Sequence, residues 1–212
     1  MSPEVLESIA REPLNHHSRA YRNLLNNCLN NLKLILGTRG QIALLTASGT
    51  GAMEAAVVNV VKPGDEVVCV EGGKFGRRWG QLCGLIGAEV HTLSVRPGDD
   101  LNPPALADLL QKFPAARAVF FTQVETSTGA LFNLKALAEV VKEGSGALVV
   151  ADVMTSLGAE PFHQDRWGVD IAVGASQKAL AAPPGISFIA AATGVAEQLV
   201  TPVSMSWDLS RY

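Results

Sequence analysis

One lysine of this 212-residue chain stands in a long stretch without charge. Lys178 lies in the segment Ala175-Ser176-Gln177-Lys178-Ala179-Leu180, and the next charged residue after it is Glu197. Most lysines are solvated at protein surfaces. An amine that is removed from water favours its neutral form, however, and the neutral form attacks carbonyl carbons. The surroundings of Lys178 therefore predict either an ordinary surface lysine or a nucleophile for a carbonyl group.

A carboxylate and a glycine-rich turn follow two other apolar runs. Asp152 ends the run 147–152, where a carboxylate either caps the next loop or binds a cation. Ser48-Gly49-Thr50-Gly51 opens a predicted helix, and the N–H groups and positive dipole of such a helix end suit a phosphate. The alternative is a simple helix cap. Because the turn lacks the third glycine of a dinucleotide motif and the lysine of a P-loop, it favours a monophosphate.

Pyridoxal 5′-phosphate (PLP) is a cofactor that requires all three groups. It needs an anion site for its phosphate, a carboxylate against its pyridine nitrogen and a lysine for a Schiff base. It also needs a side chain against the ring face. Phe75, which follows the apolar run ending at Val70, could stack there, although a place in the core is equally open. The combination predicts a PLP site.

Alternating short apolar runs and longer amphipathic segments predict the elements that position these groups. Several runs are continuously apolar, as in parallel strands that are buried on both faces. The predicted strands are residues 42–46, 66–70, 89–94, 118–123, 147–152, 171–174 and 186–191. The predicted helices are residues 19–36, 51–61, 76–86, 103–112 and 133–143. We therefore expect a three-layer α/β fold, in which a mostly parallel seven-stranded sheet carries helices on both faces and binds ligands beyond its carboxyl edge.

Five motifs follow one another between Ser48 and Leu180. They are Ser48-Gly49-Thr50-Gly51-Ala52-Met53-Glu54-Ala55-Ala56, Phe75-Gly76-Arg77-Arg78, Glu125-Thr126-Ser127-Thr128-Gly129, Asp152-Val153-Met154-Thr155-Ser156-Leu157-Gly158 and Gly174-Ala175-Ser176-Gln177-Lys178-Ala179-Leu180. In content, order and spacing they resemble the class V aminotransferases of the fold-type I PLP enzymes. The resemblance is specifically to the alanine–glyoxylate, serine–glyoxylate and serine–pyruvate aminotransferases.

The resemblance implies a role for each matching residue. Lys178 would bind the cofactor covalently and carry the proton during transamination, and Asp152 would keep the pyridine nitrogen protonated. Phe75 would stack on the ring, where relatives usually carry Trp or Tyr. The remaining cofactor-binding positions that the resemblance implies are Thr50, Gly51, Ala52, Thr126, Met154 and Gln177.

The resemblance also implies a reaction and leaves alternatives open. The reaction is transfer of an amino group from alanine or serine to glyoxylate or pyruvate by a homodimer. Gln177 and Phe75 stand where desulfurases of the same fold usually carry histidines, which favours transamination over a PLP lyase or desulfurase. We expect residues 1–40 to form an N-terminal segment with a long helix and residues 41–212 to form the PLP-binding large domain.

The family carries its substrate-binding arginine in a smaller C-terminal domain, which we expect to be absent here. A cofactor-binding or dimerising fragment without catalysis is therefore an alternative to an active transaminase. A nucleotide-binding oxidoreductase is disfavoured by the incomplete glycine motif.

The charge of the chain excludes several functional classes. It has 17 basic and 20 acidic residues, so it lacks the basic surface of nucleic-acid-binding proteins and of proteins held on anionic membranes. The uncharged stretch 179–196 contains Pro183, Pro184 and Gly185, which would break a membrane-spanning helix. Charged residues make up only 17% of the chain, against roughly 25% in typical soluble domains. We therefore expect a partner subunit to cover part of the surface.

Three cysteines indicate a reducing compartment. Cys28, Cys69 and Cys83 show neither CxxC spacing nor partnered histidines. Buried or free thiols fit this pattern better than disulfides or a metal site. We expect a cytoplasmic protein without a metal site.

Overall fold

The fold is built around a seven-stranded β-sheet. The structure, a computed structural model, describes residues 1–202 and 204–211. The sheet contains β1 (Gln41–Leu45), β2 (Glu66–Glu71), β3 (Glu89–Ser94), β4 (Ala118–Thr122), β7 (Leu148–Asp152), β8 (Ile171–Ala175) and β9 (Ser187–Ala191), and β5 (Val124–Glu125) pairs separately with β6 (Ala130–Leu131). The strand order is β1-β9-β8-β7-β4-β2-β3. The five strands from β3 to β8 in this order are parallel, and β9 runs antiparallel to both β8 and β1.

Seven α-helices connect or precede the strands in the described part of the chain. They are α1 (Pro3–Ile9), α2 (Arg19–Leu36), α3 (Gly49–Val60), α4 (Lys74–Ile86), α5 (Pro103–Lys112), α6 (Leu134–Gly144) and α7 (Gln164–Trp167). Short 3₁₀ turns follow at Ala196–Gln198 and Leu209–Arg211. The predicted α/β fold and its mostly parallel sheet are confirmed, and every predicted element lies within two residues of its observed bounds. The elements missing from the prediction, α1, α7 and the β5–β6 hairpin, are too short to show a hydrophobic period.

The inner strands of the sheet are buried on both faces, which explains why they are continuously apolar. In β2, Val67 and Cys69 pack in a core with α3 and α4, whereas Val68 and Val70 pack on the opposite face with α5 and α6. Successive strand side chains point to opposite faces. A strand between two helical layers therefore needs an apolar residue at every fully buried position, as residues 67–70 of β2 show.

The N-terminal helices bury little apolar surface. Helix α1 buries no residue, and α2 buries only Leu36. Leu24, Leu34 and Ile35 of α2 are 53%, 80% and 44% exposed. These three apolar side chains of α2 are thus largely uncovered in this chain.

Two searches of the described residues bear on membranes and metals. Within residues 1–202 and 204–211, no helix has both the length and the apolar character needed to cross a membrane. The same residues contain no group of three or more His, Cys, Asp or Glu side chains placed to hold a metal ion.

Candidate active site

The carboxyl edge of the sheet brings the sequence-predicted groups to one small cavity. Asp152 is the last residue of β7, Lys178 follows β8, and the start of α3 follows β1, which runs parallel to β8. The cavity has a volume of about 160 Å³. Seven of the predicted site residues line it: Thr50, Phe75, Thr126, Asp152, Met154, Gln177 and Lys178. The other two, Gly51 and Ala52, lie in the first turn of α3 and do not line it.

Asp152 is a buried carboxylate that faces this cavity. It is 5% exposed, and its Oδ1 accepts a hydrogen bond from the backbone N–H of Met154 at 2.8 Å. Among the described residues, no hydrogen bond reaches its Oδ2. Burial, assisted by the negative charge of Glu125, raises the pKa of Asp152 to about 7, although the Met154 N–H and the cations Arg78 and Lys178 oppose the rise. A buried carboxylate with one unused oxygen is suited to bind a cationic N–H group from a ligand.

Lys178 lines the same cavity, and its side chain is solvated, so the removal from water that would favour a neutral amine is not observed in this chain. Both Gln177 and Lys178 are exposed. The apolar residues that follow Lys178 lead into a loop, where Ser176 Oγ donates a hydrogen bond to the carbonyl of Pro183 at 2.5 Å. Those residues therefore shape the loop without covering the amine. An uncharged sequence neighbourhood did not produce a buried side chain here.

The first turn of α3 presents backbone N–H groups to the cavity. Ser48 caps the helix, since its Oγ accepts a hydrogen bond from the N–H of Gly51 at 3.3 Å, and its carbonyl accepts from the N–H of Ala52 at 3.1 Å. The N–H groups of Gly51 and Ala52 are thus used inside the turn, and Ala52 is fully buried. Gly49 and Thr50 line the cavity, and their N–H groups have no acceptor among the described residues.

Glu125 fixes the start of α4, which carries the aromatic wall of the cavity. Its Oε2 accepts hydrogen bonds from the N–H groups of Phe75 at 3.0 Å and Gly76 at 2.9 Å. Its Oε1 accepts from both the N–H and the hydroxyl of Ser127. Glu125 is fully buried, so its charge is satisfied by these donors and by the positive end of α4. A Cβ at Gly73 would lie 2.7 Å from the Glu125 Cγ, so only glycine fits beside it.

Thr126 and Met154 also line the cavity. The Oγ1 atoms of Thr126 and Thr155 are hydrogen-bonded at 2.9 Å. Met154 packs on the start of α3, where a Cβ at Gly49 would lie 2.2 Å from its Sδ. The loop after β5 therefore contacts the loop after β7, and the loop after β7 contacts the first turn of α3.

Two residues without a role in the sequence-based prediction take part in this site. Arg78 lines the cavity and donates a hydrogen bond to Thr50 Oγ1 at 2.8 Å, and Glu125 positions Phe75. Both belong to motifs that carried the family resemblance, so their position in those motifs was the available signal. Their partners lie 28 and 50 residues away along the chain. No local pattern reports such a contact.

A three-layer α/β domain with a carboxylate, a lysine, an aromatic ring and a helix N-terminus at one edge has the layout of a PLP-binding domain. The family profile described as Aminotransferase class-V matches residues 7–207. This chain belongs to the class V aminotransferase family. That membership implies PLP as the cofactor.

Relatives of known sequence support this assignment over nearly the whole chain. An aminotransferase of uncharacterized specificity from Methanocaldococcus jannaschii is 38% identical over 88% of this chain and 48% of its own length. A protein named soluble hydrogenase, small subunit, from Synechococcus sp. is 35% identical over 98% of this chain and 55% of its own length. The chain thus spans about half the length of the curated relatives it matches.

Solved structures show the same fold. The aspartate aminotransferase of subgroup IV from Thermus thermophilus aligns with a TM-score of 0.93 and 36% identity, covering 100% of this chain and 59% of that structure. The alanine–glyoxylate aminotransferase from Nostoc sp. aligns with a TM-score of 0.94 and 31% identity, covering 99% of this chain and 56% of that structure.

The residues at the cavity fit PLP chemically. The unused Oδ2 of Asp152 suits a protonated pyridine nitrogen, and the unpaired N–H groups of Gly49 and Thr50 suit a phosphate. Phe75 offers a ring face, and Lys178 offers an amine at the same cavity. The carboxylate and the N–H donors of the cavity would thus each meet a PLP group of opposite charge.

Proposed function

We propose that this chain forms the cofactor domain of a PLP-dependent aminotransferase that moves an amino group from alanine or serine to glyoxylate or pyruvate. The observation that carries the proposal is the pairing of two groups at one cavity. Asp152 is buried with one oxygen unused, and Lys178 lines the same space from the loop after the neighbouring strand β8. A buried carboxylate without a cation is costly, and a bound pyridinium would offset that cost.

Each lining residue has a task in this proposal. When bound, PLP supplies an electron sink that stabilises negative charge on the amino-acid Cα. Asp152 would hold the proton on the pyridine nitrogen, and Phe75 would support the ring face. Lys178 would bind the cofactor aldehyde through its amine and would carry the proton that leaves Cα. Thr126, whose hydroxyl is hydrogen-bonded to that of Thr155, would donate to the cofactor's phenolic oxygen.

The phosphate, in this proposal, lies at the start of α3. The N–H groups of Gly49 and Thr50 and the hydroxyl of Thr50 would donate to it, and Gln177 would approach from the loop after β8. Gly51 and Ala52 support this turn from within the helix. Met154, which packs on this turn, would lie beside the ring.

The identity of the amino donor needs direct measurement. The aligned structures are named for aspartate and for alanine with glyoxylate. Alanine, serine and aspartate are therefore the donors to compare, each with glyoxylate and pyruvate as acceptors. We expect alanine or serine to give the faster transfer.

A catalytically silent PLP-binding fragment is the second candidate. The exposure of Lys178 and Gln177 favours it, because an open site admits water and weakens every electrostatic interaction inside it. We further propose that a second copy of the chain covers the open cavity and the exposed apolar side chains of α2, so that the protein is a homodimer. In this proposal the homodimer is cytoplasmic, and residues 41–212 of each copy form the cofactor domain. Sedimentation velocity on the purified chain tests the dimer.

One experiment separates these candidates. The chain is incubated with PLP, reduced with borohydride to fix any bond between the cofactor aldehyde and an amine, and digested for peptide mass spectrometry. PLP on Lys178 together with pyruvate formation from L-alanine and glyoxylate supports the aminotransferase. PLP on Lys178 without turnover supports the silent fragment. If no PLP is fixed, or if Lys178→Ala fixes as much, the cofactor assignment is wrong.

A further inference from the structure

Arg78 is a cation at the cavity that forms no direct ion pair with any carboxylate among residues 1–202 and 204–211. Its guanidinium donates to Thr50 Oγ1 at 2.8 Å, and its Cζ lies 5.0 Å from the centroid of the Phe75 ring. Within the part of the chain that the structure describes, Arg78 forms no ion pair, whereas the adjacent Arg77 pairs with Glu71 at 2.7 Å. The positive charge of Arg78 also acts on Asp152, but without a direct ion pair. An arginine that is held in place without a directly paired carboxylate is suited to bind an anion from solution.

The contact with Thr50 places this cation at the start of α3. Because Thr50 Oγ1 accepts the hydrogen bond from Arg78, its own hydroxyl hydrogen remains available as a donor. The N–H groups of Gly49 and Thr50 lie in the same turn and have no acceptor among the described residues. Hydroxyl, amide and guanidinium donors therefore meet at one end of the cavity.

The charge of a phosphate ester requires more than this helix end supplies. A phosphate monoester carries about −1.5 to −2 charges at pH 7. A helix N-terminus contributes roughly +0.5. Among the described residues that line the cavity, the cationic side chains are Arg78 and Lys178, and the proposed function uses the Lys178 amine at the cofactor aldehyde. Arg78 is the lining side chain left to balance the phosphate.

We infer that Arg78 binds the cofactor phosphate and that Thr50 holds its guanidinium in place. The inference rests on the proposed function for the identity of the phosphate ester. The anion site itself does not depend on Lys178, so it can be tested separately from the covalent bond.

The test compares Arg78→Met with Arg77→Met in the full chain. Equilibrium dialysis measures the Kd of three probes: PLP, pyridoxal, which lacks the phosphate, and inorganic phosphate. Arg78→Met should raise the Kd of PLP and of inorganic phosphate roughly tenfold or more, because one charge-assisted contact is lost. The Kd of pyridoxal should change by no more than about twofold. Arg77→Met should change none of the three, because that side chain is 63% exposed and paired with Glu71.

Each result decides the inference. It is overturned if Arg78→Met leaves PLP and phosphate affinities unchanged, if pyridoxal weakens as much as PLP, if PLP binds more tightly, or if the wild-type chain binds neither anion. Far-UV circular dichroism and urea unfolding confirm that the variants fold. If phosphate binding depends on Arg78 but no PLP becomes fixed to Lys178, the proposed function fails and the anion site stands.

A double-mutant cycle tests the part played by Thr50. If Thr50 holds the guanidinium in place, Thr50→Val should cost less phosphate affinity in the Arg78→Met background than in the wild-type chain. Equal costs in both backgrounds would show that Thr50 does not position Arg78.

Discussion

The backbone N–H of Phe75 donates to Oε2 of Glu125 at 3.0 Å, across 50 residues of sequence. Through this bond a fully buried carboxylate on β5 caps the helix that forms the aromatic wall of the cavity. The N-cap residue of α4 is Gly73, whose lack of a side chain leaves the helix without a local capping group. Glu125 supplies the missing acceptor from another element.

Replacing Glu125 with glutamine should loosen the start of α4. The amide keeps one acceptor oxygen but turns an N–H₂ group toward either the α4 N–H groups or Ser127, so at least one buried donor loses its acceptor. We expect the free energy of unfolding to fall by roughly 1–3 kcal/mol. Urea unfolding measures it. The control is Glu71→Gln, which removes the charge of a β2 carboxylate that pairs with Arg77 of α4. This change should lower the free energy of unfolding by about 1 kcal/mol or less. Equal losses in both variants would show that the cap of α4 does not matter.

The pH dependence of stability should report the burial of Asp152. Its pKa is raised from an ordinary value of 3.8 to about 7. Between these pH values the folded chain keeps a proton that the unfolded chain has lost, so the free energy of unfolding contributed by Asp152 falls as the pH rises. The full loss is on the order of 4 kcal/mol.

The comparison that isolates this effect is wild type against Asp152→Asn, which cannot titrate. Their difference in unfolding free energy, measured in urea at several pH values, should favour the wild type progressively less from about pH 4 to about pH 7. Asp99→Asn, at an exposed loop aspartate, should run parallel to the wild type. A constant difference for Asp152→Asn would mean that the carboxylate is not taken out of water.

Features of this site that depend on a pattern within one segment can be predicted from the sequence, whereas features that depend on contacts between distant segments cannot. Hydrophobic periodicity acts within a segment, so β3, α2 and α5 could be bounded to the residue. The edge rule for parallel strands then places Asp152 and Lys178 together. Exposure of a single side chain depends on what packs over it from elsewhere, and the uncharged neighbours of Lys178 turn away into a loop.

The adjacent pair Arg77 and Arg78 shows the same limit. One arginine pairs with Glu71 and the other reaches Thr50, although nothing in the local sequence distinguishes them. The difference arises from the rotation of about 100° between neighbouring residues of a helix. It becomes predictable only when the elements that flank α4 are known.

Phe75 should contribute to cofactor retention through its ring face. Phe75→Ala removes the stacking surface, so the binding free energy of PLP should weaken by about 0.5–1.5 kcal/mol beyond the effect of the lost buried area. Equilibrium dialysis with PLP measures the change. Phe75→Trp keeps an aromatic face and should retain most of the affinity. Unchanged PLP binding in Phe75→Ala would assign this residue to packing alone.

Gly174 lies in β8, the strand that leads to Lys178, and there is no room for a side chain at this position. It pairs in register with Phe188 of β9, and a Cβ at this position would lie 2.1 Å from the Phe188 Cζ. Phe188 is buried, so its ring cannot move into solvent. Gly174→Ala should therefore lower the free energy of unfolding by roughly 1–3 kcal/mol.

A matched glycine and a compensating change make this last prediction specific. Gly144 ends α6, and a Cβ added there would point into open space, so Gly144→Ala should be neutral or stabilising by up to about 1 kcal/mol. If overpacking is the cause, Phe188→Leu should cost less in the Gly174→Ala background than in the wild type, because the smaller side chain makes room for the added methyl group. Strictly additive losses in urea unfolding would show that Gly174 and Phe188 do not compete for space. Because Lys178 lies four residues beyond Gly174, PLP fixation by borohydride should fall in Gly174→Ala and recover in the double variant.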